Sequence, residues 1–538
     1  MLSVNNLSMQ FGKRILFDEV NIKFTKGNCY GVIGANGAGK STFVKILSGE
    51  QNATSGTFDL DAGARMSVLS QNHNLFNDFT VLETVMMGHD KLYKIMKEKE
   101  EIYSRDPFTE ADGLKAGELE ADFADMDGWN AESDASILLS NLGLPKEKEY
   151  TKMDDLPEND KIRVLLAQAL FGNPDVLLLD EPTNNLDVAT IAWLENFLAD
   201  YQNTVIVVSH DRHFLDAVCT QIVDIDFGKI SMFTGNYSFW YESSQLLLAQ
   251  RSNKNKKAEE KVKELKDFIA RFSANASKSK QATSRKKALD RINIDEMKPS
   301  MRKYPAIFLN QDRELGNQVL NIKNLSYETP DGELLFKDIE FIIDKGEKVG
   351  LLTKDSRAMD AFFEILDGKL KPTTGTVEWG VTVKKAYLPH ENAPFFEGND
   401  DTLIDWLRQY SENKEEAYVR GFLGRMLFTG EETLKSVKVL SGGEKVRCMV
   451  SRMMLQNANV VMLNEPTAHL DLESIQAFNN GVIATESVVL LSTQDHHFLN
   501  SIANRIVEFS PKGMIDRQYT TYDDYLSDAS IIERRATL

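Results

Sequence analysis

The chain has 538 residues, 42% hydrophobic and 27% charged, with a formal net charge of −19 at pH 7. That length exceeds a single hydrophobic core and requires several units, and the acidic balance excludes a protein that coats nucleic acid by bulk charge. No run of about 18 apolar residues occurs, so no transmembrane helix is expected, and three widely spaced cysteines (Cys29, Cys219, Cys448) fit a reducing, cytoplasmic setting without disulfides.

The opening segment MLSVNNLSMQFGKR lacks a basic-then-apolar leader pattern and reads as strand and turn. Next comes an apolar strand, Tyr30–Ile33, and then Gly34-Ala35-Asn36-Gly37-Ala38-Gly39-Lys40-Ser41-Thr42, a full G-x-x-x-x-G-K-[ST] match opening a helix over Ser41–Leu47. Glycines let backbone N–H groups turn onto phosphates, and the helix N-terminus adds partial positive charge. Lys40 is expected to reach the β- and γ-phosphates of ATP, and the Ser41 hydroxyl to ligate Mg²⁺. Gln71, after the strand Met66–Leu69, suits a metal and water contact.

From about Lys91 to Asp127 the text is acidic and rich in helix formers (KLYKIMKEKEEIY), which predicts either a projecting helical arm or a solvated surface hairpin. The buried-strand run Val176–Leu179 ends in Asp180-Glu181. Asp180 is expected to hold the metal through water, and Glu181 to polarise the attacking water. His210, after the strand Val205–Val208, suits a γ-phosphate sensor. Alone, each of these is an ordinary turn or surface residue; their order behind a phosphate loop supplies the chemistry.

Between Arg251 and Arg291 stand fourteen Lys/Arg against five Asp/Glu, one basic element on an acidic body. SSQLLLAQRSNKNKKAEEKVKELKDFIARF has apolar Val262, Leu265, Ile269 and Phe272 at helical spacing, ANASKSKQATS interrupts it, and RKKALDRI resumes it. This predicts a helical hairpin over 243–316 with a polar, basic tip, unlike the Gly/Ser-rich text of a flexible tether.

The chain then repeats itself. GNCYGVIGANGAGKSTFVKIL, LPENDK, VLLLDEPTNNLD and VVSHDRHFL return as GEKVGLLTKDSRAMDAFFEIL, LSGGEK, VVMLNEPTAHLD and LLSTQDHHFL. Gly27 aligns with Gly346 at an offset of 319, whereas Leu156 with Leu440 and Asp180 with Asn464 align at 284, so the first copy holds 35 extra residues, placed at the 91–127 arm. The expected organisation is a first domain over 1–242, the linker over 243–316, a second domain over 317–528 and a short tail over 529–538.

GANGAGKST, Gln71, LLLDEPTNNLD, SHD at Ser209–Asp211 and LSGGEK at Leu440–Lys445 resemble the motif set of ABC ATPases. Two such domains with a charged hairpin between them and no membrane domain resemble the ABC-F family of ribosome-associated ATPases. EPTNNLD and RFSANASKSKQATSRKK look closest to its YbiT/YkpA-like branch. The resemblance implies an α/β fold of two tandem P-loop NTPase ABC-type nucleotide-binding domains joined by the basic hairpin. It implies a monomer whose domains dimerise internally, with a shared site: Gly34–Thr42, Gln71, Asp180, Glu181 and His210 paired with Ser441, Gly442, Gly443 and Glu444, and Phe11 stacked on adenine. The second site fails at position after position. Met359 replaces Lys40, Asp360 replaces Ser41, His390 replaces Gln71, Asn464 replaces Asp180 and Gln494 replaces His210, while Thr353, Ser356 and Ala358 replace the loop glycines. Its partner signature reads Leu156-Pro157-Glu158-Asn159-Asp160, and only Glu465 survives, so neither hydrolysis nor Mg²⁺-ATP binding is expected there.

Such proteins bind the ribosomal tRNA exit site, their linker reaching peptidyl-tRNA. The resemblance therefore implies contacts to RNA phosphates from Lys278, Lys280, Arg285, Lys286 and Lys287, with Asn275 and Gln281 adding hydrogen bonds. Two other functions stay open at this stage: an ATP-gated cytoplasmic regulator, and the motor subunit of a transporter.

Overall fold

A computed structural model describes residues 1–247 apart from positions 13, 71, 107, 184, 185 and 187, then positions 250, 260 and 262, and residues 302–538. Gln71 and the basic tip residues Lys278, Lys280, Arg285, Lys286 and Lys287 lie outside them, with most of the expected hairpin. The chain divides into two compact units, Met1–Met301 and Arg302–Leu538.

In the first unit, β1 (Leu2–Phe11) and β2 (Arg14–Phe24) alternate buried and exposed residues, as strands of an antiparallel sheet with one covered face must. β3 (Cys29–Gly34) is buried along its whole length and leads through the phosphate loop into α1 (Lys40–Leu47). β4 (Ser55–Leu60) completes a three-stranded sheet in the order β2-β1-β4. After β5 (Met66–Val68) comes a helical region: α2 (Val81–Met86), α3 (Asp90–Tyr103), α4 (Glu110–Asp125), α5 (Ala131–Asn141) and α6 (Glu158–Leu170). The remaining elements are β6 (Val176–Asp180), α7 (Val188–Ala199), β7 (Thr204–Val208), α8 (Arg212–Val218), β8 (Gln221–Asp226) and β9 (Lys229–Thr234). A six-stranded sheet results, ordered β5-β6-β7-β3-β8-β9, parallel except for the β8–β9 edge pair. β3 and β7 are buried throughout because parallel strands are covered on both faces. The small sheet, α1 and the large sheet enclose one core, in which Phe17 meets Phe43 edge-on at 5.7 Å and Phe24 meets Tyr30 at 4.8 Å.

The second unit repeats this plan. β10 (Gln318–Glu328), β11 (Leu334–Asp344) and β13 (Thr374–Trp379) form the small sheet. β12 (Lys348–Leu352), β14 (Lys385–Leu388), β15 (Val460–Asn464), β16 (Val488–Ser492), β17 (Arg505–Ser510) and β18 (Gly513–Gln518) form the large one, ordered β14-β15-β16-β12-β17-β18. Isolated bridges Thr80–Lys152 and Thr402–Ser436 mark the same point in each half. Between them the first unit carries α3 and α4, packed on each other, where the second passes within six residues from the helix Leu403–Gln409 to the helix Glu416–Arg425. Lys99 fastens the arm, pairing with Glu120 at 2.8 Å and lying 3.8 Å from the Phe123 ring centre and 4.6 Å from that of Trp129.

Both ends of the interdomain segment are anchored. Residues 237–247 are helical, Tyr237 and Trp240 are buried, and the Ser238 N–H donates to Asp216 on α8 at 2.7 Å. On the far side, the second unit starts at Arg302, ahead of the boundary expected at 316, because Ile307 and Leu309 sink into its core. The Ala306 N–H donates to the Arg425 carbonyl at 2.8 Å, Thr485 Oγ1 to the Leu309 carbonyl at 2.8 Å, and Arg302 pairs with Glu473 at 2.8 Å. The expected tail over 529–538 is likewise a packed helix, Ala529–Thr537, with Ile531 buried and Arg535 paired to buried Glu508 at 2.7 Å.

One backbone device recurs in both halves. Gly56 (φ +85°) and Gly375 (φ +88°) begin their strands beside Asn6 and Asn324, where the ladder register shifts, and a β-carbon would stand 2.3 Å from the Asn6 oxygen or 2.4 Å from that of Asn324. Gly56→Ala is therefore expected to destabilise the first unit by about 1–3 kcal/mol, read as a lower urea midpoint; an unchanged midpoint contradicts the close approach.

Candidate functional site

Ligands of open α/β sheets bind beyond the carboxyl ends of the strands. The order β5-β6-β7-β3 lines up at one such edge what the sequence scatters between Gly34 and His210: the approach to Gln71, then Asp180-Glu181, then Ser209-His210, then the phosphate loop. Of these, Gln71 alone lies outside the described residues.

In the loop, Gly34, Ala35, Ala38, Gly39 and Lys40 are buried, while Asn36, Gly37 and Ser41 are exposed and Thr42 is half-buried. Gly39 adopts φ +108°, and a β-carbon there would press on Leu16 at 3.0 Å; only glycine turns the chain there without strain. Lys40 Nζ donates to the Gly34 carbonyl at 2.8 Å, folding its ammonium back across the loop. Phe11 ends β1 with 52% of its surface exposed, available for stacking.

Glu181 follows β6 in the left-handed region at φ +53°, held there by its N–H donating to the Val208 carbonyl at 2.8 Å. Its Oε2 accepts the His210 N–H at 3.2 Å, and Oε1 lies 3.5 Å from His210 Nε2. Oε1 is buried and accepts no hydrogen bond from the described residues. Burial pushes the carboxyl up to about 7, assisted by the Asp180 charge and opposed by the His210 N–H and Lys40. A carboxyl held near neutrality with one oxygen unsatisfied has the chemistry of a general base.

The sequence reading missed Arg14. It opens β2 opposite Phe11, and its Nη2 donates to the Gly37 carbonyl at 2.9 Å, so the guanidinium lies over the phosphate loop. The signal was in the repeat: at the offset of 319 its counterpart is Glu333, the opposite charge.

The second unit keeps the scaffold and replaces the chemistry. Glu465 repeats Glu181 at φ +49°, with its N–H on the Ser492 carbonyl at 2.8 Å, Oε2 accepting the Gln494 N–H at 3.1 Å, and burial again pushing it up to about 7. Around it the substituted residues satisfy one another. Asn464 Nδ2 donates to Asp360 at 2.7 Å, with His390 Nδ1 3.9 Å from the same oxygen. Buried Met359 stands where Lys40 does. Asp360 and Asn464, at the Ser41 and Asp180 positions, are joined by a hydrogen bond.

The signature segments differ in the same sense. Ser441 caps the helix Gly442–Gln456 in a reciprocal box with Glu444, its N–H donating to Oε2 at 2.9 Å and its Oγ accepting the Glu444 N–H at 3.3 Å. A β-carbon at Gly443 would meet the His469 carbonyl at 2.6 Å. Ser441 is exposed at a helix N-terminus, a ready anion site. In the first unit Pro157 occupies the cap with no side-chain bond, and Glu158, in the position of Gly442, pairs with His73 at 3.2 Å.

Sequence comparisons agree with this geometry. A family model described as "ABC transporter" matches residues 17–184 and 336–468, and a second with the same description matches 223–308. The chain is 52% identical to the uncharacterised ABC transporter ATP-binding protein YkpA of Bacillus subtilis, over 100% of this chain and 99% of that one. It is 41% identical to the probable ATP-binding protein YbiT of Escherichia coli O157:H7, over 99% and 100%, and 31% identical to the energy-dependent translational throttle protein EttA of Haemophilus influenzae, over 95% and 92%.

The chain belongs to the ABC-F family.

Among solved structures, the RNase-L inhibitor shares its fold, with a TM-score of 0.59 over 98% of this chain and 93% of that one at 18% identity. The ABC-F chain is a P-loop ATPase that binds ATP, and no helix of its described residues is long and apolar enough to cross a membrane.

The Asp360–Asn464 contact in the second unit is directly testable. Asn464→Asp sets two carboxylates at hydrogen-bond distance, so one is pushed above its unfolded value. The variant is then expected to match the parent below about pH 4 and to lose about 1 kcal/mol relative to it as pH rises to about 7, a modest figure because Asp360 is nearly half exposed. Parallel unfolding midpoints across that range contradict the contact.

Proposed function

We propose that this protein hydrolyses ATP to ADP and phosphate with Mg²⁺ at its first-half site only, and uses the cycle to act on the ribosome near the tRNA exit site. The observation that carries the reading is the asymmetry around two like carboxyls: a glycine loop and a buried lysine beside Glu181, and self-satisfied substitutes beside Glu465.

The donors fit Mg²⁺. Ser41, Asp180 and Gln71 offer the oxygen ligands that a hard divalent ion takes. Among the described residues, no group of three or more His, Cys, Asp or Glu could hold a metal by itself, which suits an ion that shares its shell with phosphates and water. Bound there, Mg²⁺ would neutralise charge on the β- and γ-phosphate oxygens. The chain does the rest. Gly34–Thr42 cradles the phosphates, and Lys40 turns from the Gly34 carbonyl onto the β/γ oxygens. Glu181 Oε1 takes the proton of the attacking water, and His210 fixes that carboxylate and senses the γ-phosphate. Ser441, Gly442, Gly443 and Glu444 supply the closing clamp, and Phe11 stacks on adenine. At the Asp360 carboxylate of the second half a phosphate meets repulsion, and Met359 offers it no cation.

The ribosomal role is supported by the name of the EttA relative, a translational throttle protein, and by the concentration of cations between Arg251 and Arg291 on an otherwise acidic chain. Lys278, Lys280, Arg285, Lys286 and Lys287 are proposed to meet phosphates of rRNA and peptidyl-tRNA. The anchors at Ser238 and Ile307–Leu309 support transmission of nucleotide state to that segment. The protein acts as a cytoplasmic monomer whose two domains close on ATP.

Glu181→Gln is expected to lower turnover by about 10²–10⁴-fold while keeping ATP bound. The parent rate should rise through about pH 7 as the carboxyl ionises, a limb absent from the residual rate of the variant. With ATP, Glu181→Gln should co-sediment with ribosomes and release as salt is raised. Recovery with membranes points to a transporter motor, and recovery with neither points to a cytoplasmic regulator.

Replacing all five tip cations by alanine should shift the salt at half-release downward and flatten its salt slope. An unchanged salt profile removes the tip assignment.

A further inference from the structure

Arg14 and Glu333 occupy the same position in the two halves, one residue ahead of Ile15 and Leu334 and near the equivalent pairs Phe17/Phe336 and Glu19/Asp338, both latter residues at φ +50°. In each half this position is tied to the phosphate-loop segment, with the direction of charge reversed. In the first, the cation is on the hairpin: Arg14 Nη2 donates to the Gly37 carbonyl at 2.9 Å, and an added β-carbon on Gly37 would lie 3.3 Å from Nη2. In the second, the cation is on the first turn of the helix Ser356–Asp367. Arg357, in the place of Ala38, makes two parallel 2.8 Å bonds to Glu333 and a 2.7 Å bond to Asp355. Both contacts run from the hairpin: in the second half a bidentate ion pair to a side chain, in the first a guanidinium on a backbone carbonyl.

Reading the first half as the working site, on which this inference rests, we infer that Arg14 is a nucleotide-positioning residue, acting through Gly37 to hold the phosphate loop in its anion-binding form. A cradle of converging N–H groups requires its carbonyls to face away from the phosphates. The Gly37 carbonyl belongs to an exposed, conformationally free glycine at φ +75°, and nothing in that residue's own side chain fixes the peptide plane. A charged donor on that carbonyl fixes it, and carries positive charge to the rim of a site that takes a polyanion. Because Arg14 pairs with Phe11 across the β1–β2 hairpin, the same contact ties the adenine-facing aromatic to the phosphate-binding loop. Arg14 thus acts on the phosphate end of the nucleotide site without taking part in bond cleavage.

Equilibrium binding and steady-state turnover of the full-length protein test this. Arg14→Ala should weaken ATP and ADP binding alike by about five- to tenfold, the loss of one exposed charge-assisted hydrogen bond. Adenosine binding should be untouched, and KM should rise with kcat within about twofold of the parent. Arg14→Lys, which keeps a cationic donor, should recover part of the affinity, and Arg14→Glu should bind ATP more weakly than Arg14→Ala. The inference is overturned if ATP affinity and KM of Arg14→Ala match the parent, if adenosine binding falls equally, or if kcat drops at constant KM. Lys40→Ala, run alongside, separates the two levels. Turnover surviving the loss of Lys40 sinks the site itself and this inference with it. An unaffected Arg14→Ala beside an inactive Lys40→Ala sinks the positioning role alone.

Discussion

The half-buried carboxyl at the end of β6 depends on a contact across the parallel sheet. Glu181 leaves the strand in a left-handed conformation, and the bond from its N–H to the Val208 carbonyl fixes that turn against the neighbouring strand. Non-glycine residues in this region carry strain that only over-determined surroundings maintain. Here the surroundings are the register of β6 with β7, which also delivers the His210 N–H to Oε2. The desolvation that lifts this carboxyl toward neutrality follows from the same placement, at the edge of a sheet covered on both faces.

The second half retains this turn. Glu465 has the same φ, the same cross-strand bond and the same upward push from burial. Retention of the strained turn therefore belongs to the scaffold. What distinguishes the halves is the neighbourhood: an Asn–Asp hydrogen bond in place of two oxygen donors, a methionine in place of a lysine, and a bidentate pair between Glu333 and Arg357. A buried polar group left without a partner is costly, and buried Asn464 finds its partner in Asp360.

Much of this was legible in the sequence because the relevant signals are local. The loop glycines, the Asp180-Glu181 pair after an apolar run and the strand before His210 each declare their conformation within a few residues. The two-part offset points to the stretch in which the first unit carries α3 and α4. What the text concealed was tertiary. Arg14 reads as an unremarkable hairpin cation until the fold brings it over Gly37, 23 positions away. The span 302–316 reads as linker because its apolar Ile307 and Leu309 are too sparse to declare an element, yet their burial assigns it to the second unit. The tail was misjudged for a related reason: Arg535 looks like a solvated terminus until Glu508 appears beside it.

The anchoring of the interdomain segment has a mechanical consequence. Its proximal root is tied to Asp216, on the short helix that begins two positions after His210, and its distal root lies beneath Arg425 and Thr485. A root held by hydrogen bonds and buried side chains moves only with the element that holds it. The proximal root is thereby fixed to the short helix after His210, and the distal root to the core around Ile307 and Leu309.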